Sequence, residues 1–333
     1  MSEPTKESPA DPENGIGSRL TNTSRERGPT SNSPFGAGLE SALRKMCNGK
    51  LSAIHWFRTD WQHGGALTGY ATYHDDQCEK QVVVKLPVPP IELTWLVRLQ
   101  GTQEVVPKVF AQGEVLNGYD MAWLVMERLE YGPLGSAWGS AQFNLLAEAA
   151  ARFYAAAKKF PAEPVARQTD WNQMLDRSRH SLKSLHTQNK QRWNKALRQT
   201  RHKISKWIEL WNTRDTHHWC HGDLHLGNAM TRHQPPHGPA LLIDFALAHP
   251  GHWVEDAIYF EHLYWSTPGR GRKLCKLIAH ARKEFGLTTD PNWSQLAQAL
   301  RALSAMTTPI RANIEGTSHQ LNAALQVLEA ELG

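Results

Sequence analysis

Cysteine is scarce in this chain. The four present, Cys47, Cys78, Cys220 and Cys275, lie far apart and form no Cys-x-x-Cys pair. That excludes a disulfide scaffold and points to a reducing compartment. Long apolar runs are also absent. A membrane-spanning helix needs about 18 consecutive apolar residues, so none is expected. The opening MSEPTKESPADPENG lacks the basic start and apolar stretch of a signal peptide, and the expected location is cytoplasmic. Charge of one sign is missing in bulk. The 37 Lys and Arg against 32 Asp and Glu leave a formal +5, too mild to make the whole chain a nucleic-acid binder. Tryptophan is what the chain has in excess: its 13 copies read as core and interface packing.

A length of 333 residues suits one large domain or two lobes. Residues 1 to about 38 are rich in Ser, Thr, Pro, Gly, Asn and Glu, with Ile16, Leu20 and Phe35 as nearly the only large apolar residues. Such a segment buries too little surface to offset its ordering entropy, so a disordered tail is expected over 1–38. Structure is expected from Leu39, in a short helix.

A β-rich part then covers residues 39–130. LSAIHWFR, LTGYATYH and KQVVVKLP are short runs rich in β-branched and aromatic residues, the pattern of an antiparallel meander. A helix is expected from Pro90, since Pro is tolerated at the first helical position and Glu92 suits the first turn. VPKVFAQGEV and MAWLVMERL follow as strands joined by a turn at Asn117-Gly118. From 131 to 333 the chain reads as mainly helical. Phe143, Leu146, Ala150, Phe153, Ala157 and Phe160 share one helix face, with Pro161 as the stop. Trp171 to Trp211 reads as a second helical region, and ALLIDFALA as a buried strand. The overall expectation is an α+β architecture: a small antiparallel sheet lobe followed by a larger helical lobe.

The chemistry concentrates in HGDLHLGN (His221 to Asn228) and LLIDFA (Leu241 to Ala246). Asp223 and Asn228 are five apart on a glycine-containing loop, and Asp244 follows sixteen residues after Asn228. Two carboxylates and a carboxamide are oxygen donors suited to a hard cation such as Mg²⁺. One carboxylate can instead accept a hydroxyl proton. The spacing matches phosphoryl transfer: a loop aspartate as base, an asparagine for metal, and a second aspartate after a strand for metal. The bland alternative is that Asp223 and Asn228 make turn hydrogen bonds.

These motifs, with GHWVEDA downstream, resemble the aminoglycoside phosphotransferase and choline kinase family, over about residues 50–265. The resemblance implies a two-lobed protein-kinase-like fold and ATP or GTP as phosphoryl donor, with Mg²⁺. It implies Asp223 as catalytic base, His221 as the residue that positions the loop, and Asn228 and Asp244 as metal ligands. It implies Asp256 as a structural carboxylate under the loop. Asp244 sits in Asp-Phe-Ala rather than Asp-Phe-Gly, ordinary for small-molecule kinases. Lys85 matches the family's phosphate-binding lysine, with Glu92 as its expected partner and Glu104 as the alternative. Read alone, Lys85 is equally an edge-strand lysine facing solvent. Gly64 and Gly65, in HGGALTG, would let backbone N–H groups approach phosphates, although a plain hairpin turn fits nearly as well. Met126, Glu127 and Arg128 mark the expected hinge against adenine, to within a residue or two.

Two further patterns compete. His217, His218, Cys220, His221 and His225 crowd into nine residues. Zinc takes such ligands, but four from one short loop rarely close a tetrahedron. Between Trp171 and Arg214, eleven Lys and Arg face two acids. A solvated helix face is the usual meaning, with an anionic partner or nucleic acid as the less favoured one. The stretch from His262 to Gly333 is also basic, eight Lys and Arg against five acids. Neither segment supplies the anionic surface that a polycationic acceptor needs, so a neutral or anionic acceptor is expected. By the resemblance, the expected partner is a small molecule bearing a hydroxyl: a sugar, polyol, amino alcohol or similar. No membrane is expected as partner, and the sequence names no oligomeric state. A catalytically silent nucleotide-binding protein is the alternative from another class. It would normally have lost the metal or base residues, and here Lys85, Asp223, Asn228 and Asp244 are all present.

Overall fold

The computed structural model describes residues 34–333 except 58–65, 76–77, 103, 137–138, 164–168, 268–273 and 316–317. Most of the expected tail, residues 1–33, lies outside the described residues, as do Gly64 and Gly65.

The first helix, α1 (Pro34–Met46), begins five residues before Leu39. Proline is favourable at a helix start because its missing N–H is unpaired there anyway. Five strands follow: β1 (His55–Phe57), β2 (Leu67–His74), β3 (Glu79–Leu86), β4 (Val109–Leu116) and β5 (Tyr119–Glu127). They pair antiparallel in the order β1-β2-β3-β5-β4. This is not a simple meander. Helix α2 (Pro90–Arg98) intervenes after β3, and the chain returns to place β5 beside it. The hairpin between β4 and β5 turns at Asn117 (φ 52°) and Gly118 (φ 82°), the left-handed pair that a two-residue hairpin demands.

The two-residue period of β3 sorts its side chains. Val82, Val84 and Leu86 are fully buried on one face, in a core shared with Leu39 and Leu43 of α1. Val83 and Lys85 face the other way, and Val83 packs against the main helical core. α2 buries Glu92, Leu93, Trp95 and Leu96. Trp95 meets Phe153, Phe160 and Trp219 edge-on, with centroids 4.8–5.6 Å apart, and so seats α2 on the helical body.

That body consists of α3 (Ser140–Ala157), α4 (Trp171–Ser184), α5 (Lys190–Asn212), α6 (Val254–Leu263), α7 (Leu274–Glu284), α8 (Trp293–Glu315) and α9 (Ser318–Leu332). Four short strands lie between α5 and α6: β6 (His218–Cys220), β7 (Ala229–Thr231), β8 (Ala240–Leu242) and β9 (His249–Gly251), paired β6-β9 and β7-β8. Three expectations change. α3 ends at Ala157, where Lys158 closes the last turn onto the Tyr154 carbonyl, rather than running to Pro161. The region from Trp171 to Trp211 is two helices, because Leu185 turns extended and the Thr187–Asn189 stretch holds weak helix formers. Of ALLIDFALA, only Ala240–Leu242 is strand.

α5 is amphipathic. It buries Trp193, Leu197, Ile204, Trp207 and Trp211, while Lys195, Arg198 and Lys206 stay exposed. Asp176 takes Arg179 and Arg201, and Glu329 takes Arg192. Among the described residues no helix is long and apolar enough to cross a membrane.

Candidate active site

Lys85 projects from β3 toward α2. Its Nζ donates to both Glu92 carboxylate oxygens, at 2.7 and 2.8 Å, and lies 3.6 Å from Asp244 Oδ1. The seven-residue link from strand to helix makes this pairing local. Glu92 is 1% exposed. Burial pushes its carboxyl above the usual range, and the nearby Lys85 only partly opposes that. The alternative partner, Glu104, instead meets Arg232 at 3.2 Å.

The loop after β6 is held from beneath. Asp256, buried in the first turn of α6, accepts the His221 N–H on Oδ2 and the Gly222 N–H on Oδ1, both at 2.8 Å. The Tyr154 hydroxyl donates to Oδ2 as well, at 2.8 Å. Gly222 has φ 82°, and a Cβ there would sit 2.0 Å from the Leu247 carbonyl oxygen, so only glycine fits. The His221 ring is fully buried. Its Nε2 donates to the Ile243 carbonyl at 3.1 Å, and its Nδ1 accepts the Asp223 N–H at 3.3 Å. Burial holds this imidazole below its ordinary pKa. A neutral histidine thus ties the loop to the segment carrying Asp244.

Asp223 collects donors. Tyr259 of α6 donates its hydroxyl to Oδ1 at 2.5 Å, and Asn228 donates Nδ2–H to Oδ2 at 2.9 Å and to the Asp223 carbonyl at 3.0 Å. His225 Nε2 lies 3.5 Å from Oδ1. The Gly227 N–H donates to His225 Nδ1, so Nε2 is the protonated nitrogen. Burial pushes the Asp223 carboxyl up, but these hydrogen bonds outweigh it and hold the pKa at about 2. Burial, and after it the same bond to Asp223, pushes the Tyr259 phenol up. The Ile243 N–H donates to the Asn228 carbonyl at 3.0 Å, which brings Asp244 beside Asn228. Asp244 lies two residues past β8 with φ 62°, a left-handed conformation that aspartate tolerates better than most residues.

The donor set fits a hard cation. Both Asn228 amide hydrogens are committed to Asp223, so its carboxamide oxygen and the Asp244 carboxylate are the atoms that could hold such a cation. Among the described residues no three His, Cys, Asp or Glu side chains form a metal-holding group. Two protein oxygens would leave the other positions of a bound Mg²⁺ to phosphate and water, its usual manner. The histidine-rich segment is dispersed: His217 and His218 take Asp215, Cys220 is buried, and His221 and His225 serve the loop.

Met126 and Glu127 end β5 and Arg128 follows it, but not as free backbone. The Glu127 N–H donates to the Lys108 carbonyl at 2.7 Å and the Arg128 N–H to that of Gln81 at 3.0 Å. Met126 is buried between Val83 and Val109. The Arg128 guanidinium stacks 3.9 Å over the Tyr70 ring. The Glu127 carboxylate takes Arg232 on two oxygens, at 2.6 and 2.8 Å, tying the end of the sheet to the segment after β7.

Sequence reasoning misses Tyr259 as a partner of Asp223. The signal is present in the chain: Tyr259 stands three residues after Asp256, on the same face of one helix. His225 enters that reasoning only as a zinc candidate. The Arg232–Glu127 tie joins residues 105 apart and leaves no local sign.

The sequence model of the phosphotransferase enzyme family matches residues 69–308 of this chain. The chain belongs to that family. As a member of it, the protein is a small-molecule kinase. Solved structures agree in fold. An aminoglycoside phosphotransferase from Alicyclobacillus acidocaldarius is 15% identical, with TM-score 0.53 over 85% of this chain and 88% of its own. A microcompartment-associated aminopropanol kinase is 13% identical, with TM-score 0.55 over 84% and 90%. A spectinomycin phosphotransferase, solved with ADP and spectinomycin, is 10% identical, with TM-score 0.53 over 89% and 98%. No curated protein matches the chain.

Proposed function

We propose that this phosphotransferase moves the γ-phosphoryl group of ATP to a hydroxyl of a small molecule. The observation that carries the reading is Asp223. Its carboxylate is ionised, fixed by Tyr259 and Asn228, and set on a loop that His221 joins to Asp244. Such a carboxylate can orient an acceptor hydroxyl and take its proton as the new O–P bond forms. Lys85, held by Glu92, is positioned to neutralise the α- and β-phosphates. Asn228 and Asp244 would hold Mg²⁺, which supplies charge neutralisation at the phosphates when bound. Beyond this, the chain contributes positioning and electrostatics. Residues 39–130 are assigned to the nucleotide lobe and 131–333 to the lobe carrying the catalytic loop. The N–H groups of Glu127 and Arg128 are spent within the sheet, so the purine edge falls to the segment beginning at Leu129, just beyond the expected hinge.

A nucleotide-consumption screen over hydroxylated metabolites tests the reading, with ATP and GTP run separately. ADP should accumulate with at least one acceptor and stop in Asp223→Asn. A wild-type protein that binds Mg·ATP yet consumes none across the panel would favour the catalytically silent alternative.

A further inference from the structure

One cation packs against the helix that carries the Asp223 partner Tyr259 and takes no part in the chemistry above. Helix α6 brings Tyr259 to Asp223, its hydroxyl 2.5 Å from Oδ1. Three residues further on, about 4.5 Å along the axis, is His262. Its Nε2 lies 3.5 Å from Arg311 NH1, near the end of α8. The ring is braced by Trp265, edge-on at 4.9 Å between centroids, and the His262 carbonyl accepts Gln320 Nε2–H of α9 at 2.7 Å. His262 is therefore held against both α8 and α9.

Arg311 is exposed, and no carboxylate among the described side chains lies within ion-pair distance of it. Arg301, earlier on the same helix, shows the contrast: it is paired with both Glu261 and Glu331. The fixed neighbour of Arg311 is an imidazole that burial and the guanidinium together hold down at about 4. That ring accepts from Arg311 and adds no charge of its own at neutral pH. The guanidinium is also close enough to Tyr259 for its charge to be felt at the phenol. A positive charge, uncompensated by the described side chains, thus stands against the end of α6 that carries Tyr259, the hydroxyl donor to the base. A small molecule with its hydroxyl at Asp223 and an anion at Arg311 would bridge the two.

We propose that Arg311 forms an anion subsite next to Asp223, and that the acceptor is a hydroxylated anion bearing a carboxylate or a phosphate ester. Guanidinium suits either group, since its planar fork matches both in two-point hydrogen bonding. His262 is the positioning residue that keeps the fork in place. The inference rests on the phosphotransferase reading above.

The test compares matched acceptors in the full-length protein: hydroxy acids beside their amides, and sugar phosphates beside the free sugars. Mg·ATP binding is measured in parallel by calorimetry. The expected result is kcat/KM higher for the anionic member of at least one pair type by about tenfold or more, one strong contact's worth. Which type responds separates a carboxylate from a phosphate ester. Arg311→Gln should raise KM for that acceptor about tenfold with Mg·ATP binding intact, and Arg311→Lys should recover part of the loss. Preference for the amide or free sugar, or no transfer to any anion by an enzyme that binds Mg·ATP, overturns the inference. An unchanged KM in Arg311→Gln overturns it too. A wild-type protein that cannot bind Mg·ATP has a different signature: it removes the phosphotransferase reading, and this inference with it.

Discussion

Glu92 and Asp223 are both carboxylates drawn out of water, yet they titrate in opposite directions. Glu92 is almost fully buried and has one cation, Lys85. Burial wins, the nearby Asp244 charge adds to it, and the carboxyl rises above its usual range. Asp223 keeps 22% of its side chain exposed. Burial pushes it up too, but hydrogen bonds from His225, Tyr259 and Asn228 carry it down to about 2. Several short directed donors do more for a carboxylate than one ion pair behind a large desolvation cost. The sign of the pH dependence follows. Asp223 contributes stability that is complete above its usual 3.8 and is lost as pH falls toward 2. Glu92 binds its proton more tightly folded than unfolded, so its term weakens the fold as pH rises past the usual carboxylate range.

The contrast can be broken first at Asp223. Asp223→Asn keeps the shape and removes the proton acceptor. It should lower kcat by on the order of 10²–10⁴-fold with Mg·ATP affinity little changed. Full activity in the folded variant, measured by ADP release, ends the assignment of Asp223 as base. The next largest effect is at Asp256. Asp256→Ala strands the His221 and Gly222 N–H groups and the Tyr154 hydroxyl in a buried place. Each costs about 1–3 kcal/mol, so denaturant unfolding should show a loss of at least roughly 3 kcal/mol.

Glu92→Gln sharpens the comparison from the other side. It removes a carboxylate whose burial is unfavourable, so the melting temperature should move little. Lys85 loses its anchor, however, and KM for ATP should rise about tenfold, roughly 1.4 kcal/mol. A large melting-temperature drop with unchanged KM would show that the pair serves the fold alone. The smallest effect is at His249, whose ring nitrogens face two oxygens: the Leu247 carbonyl at 2.8 Å and Glu255 Oε2 at 3.3 Å. The Glu255 hydrogen bond raises its pKa to about 9 against the pull of burial. Its stabilisation is complete below about 6.5 and is lost as pH rises through about 9. The side chain is 36% exposed, so water screens it and the term stays within about 1 kcal/mol. Thermal melts of wild type and His249→Gln should converge by pH 10.

Much of the candidate site is legible in the amino-acid sequence. HGDLHLGN places Asp223 and Asn228 on one short loop, and β3 and α2 bring Lys85 to Glu92 within seven residues. Spacing constrains geometry wherever the link is that short. It fails where partners come from far along the chain. Tyr259 reaches Asp223 across 36 residues, and Arg232 reaches Glu127 across 105. The hinge expectation spans a few residues for a related reason. The sequence marks β5 as a strand but cannot say which N–H groups its neighbours consume, and Lys108 and Gln81 take those of Glu127 and Arg128.

The local elements are written in the order of the residues. The two-residue alternation of β3, the left-handed Asn117-Gly118 turn, the proline start of α2 and the apolar stripe of α5 all follow from near-neighbour sterics and periodicity. Which charges are compensated was settled by packing. Arg301 lies between two carboxylates while Arg311, ten residues on, faces a neutral imidazole; Glu92 is driven up and Asp223 down. A residue's charge is written in its name. Its pKa and its free valence depend on burial and on donors delivered by other helices, and those are set only when the chain packs.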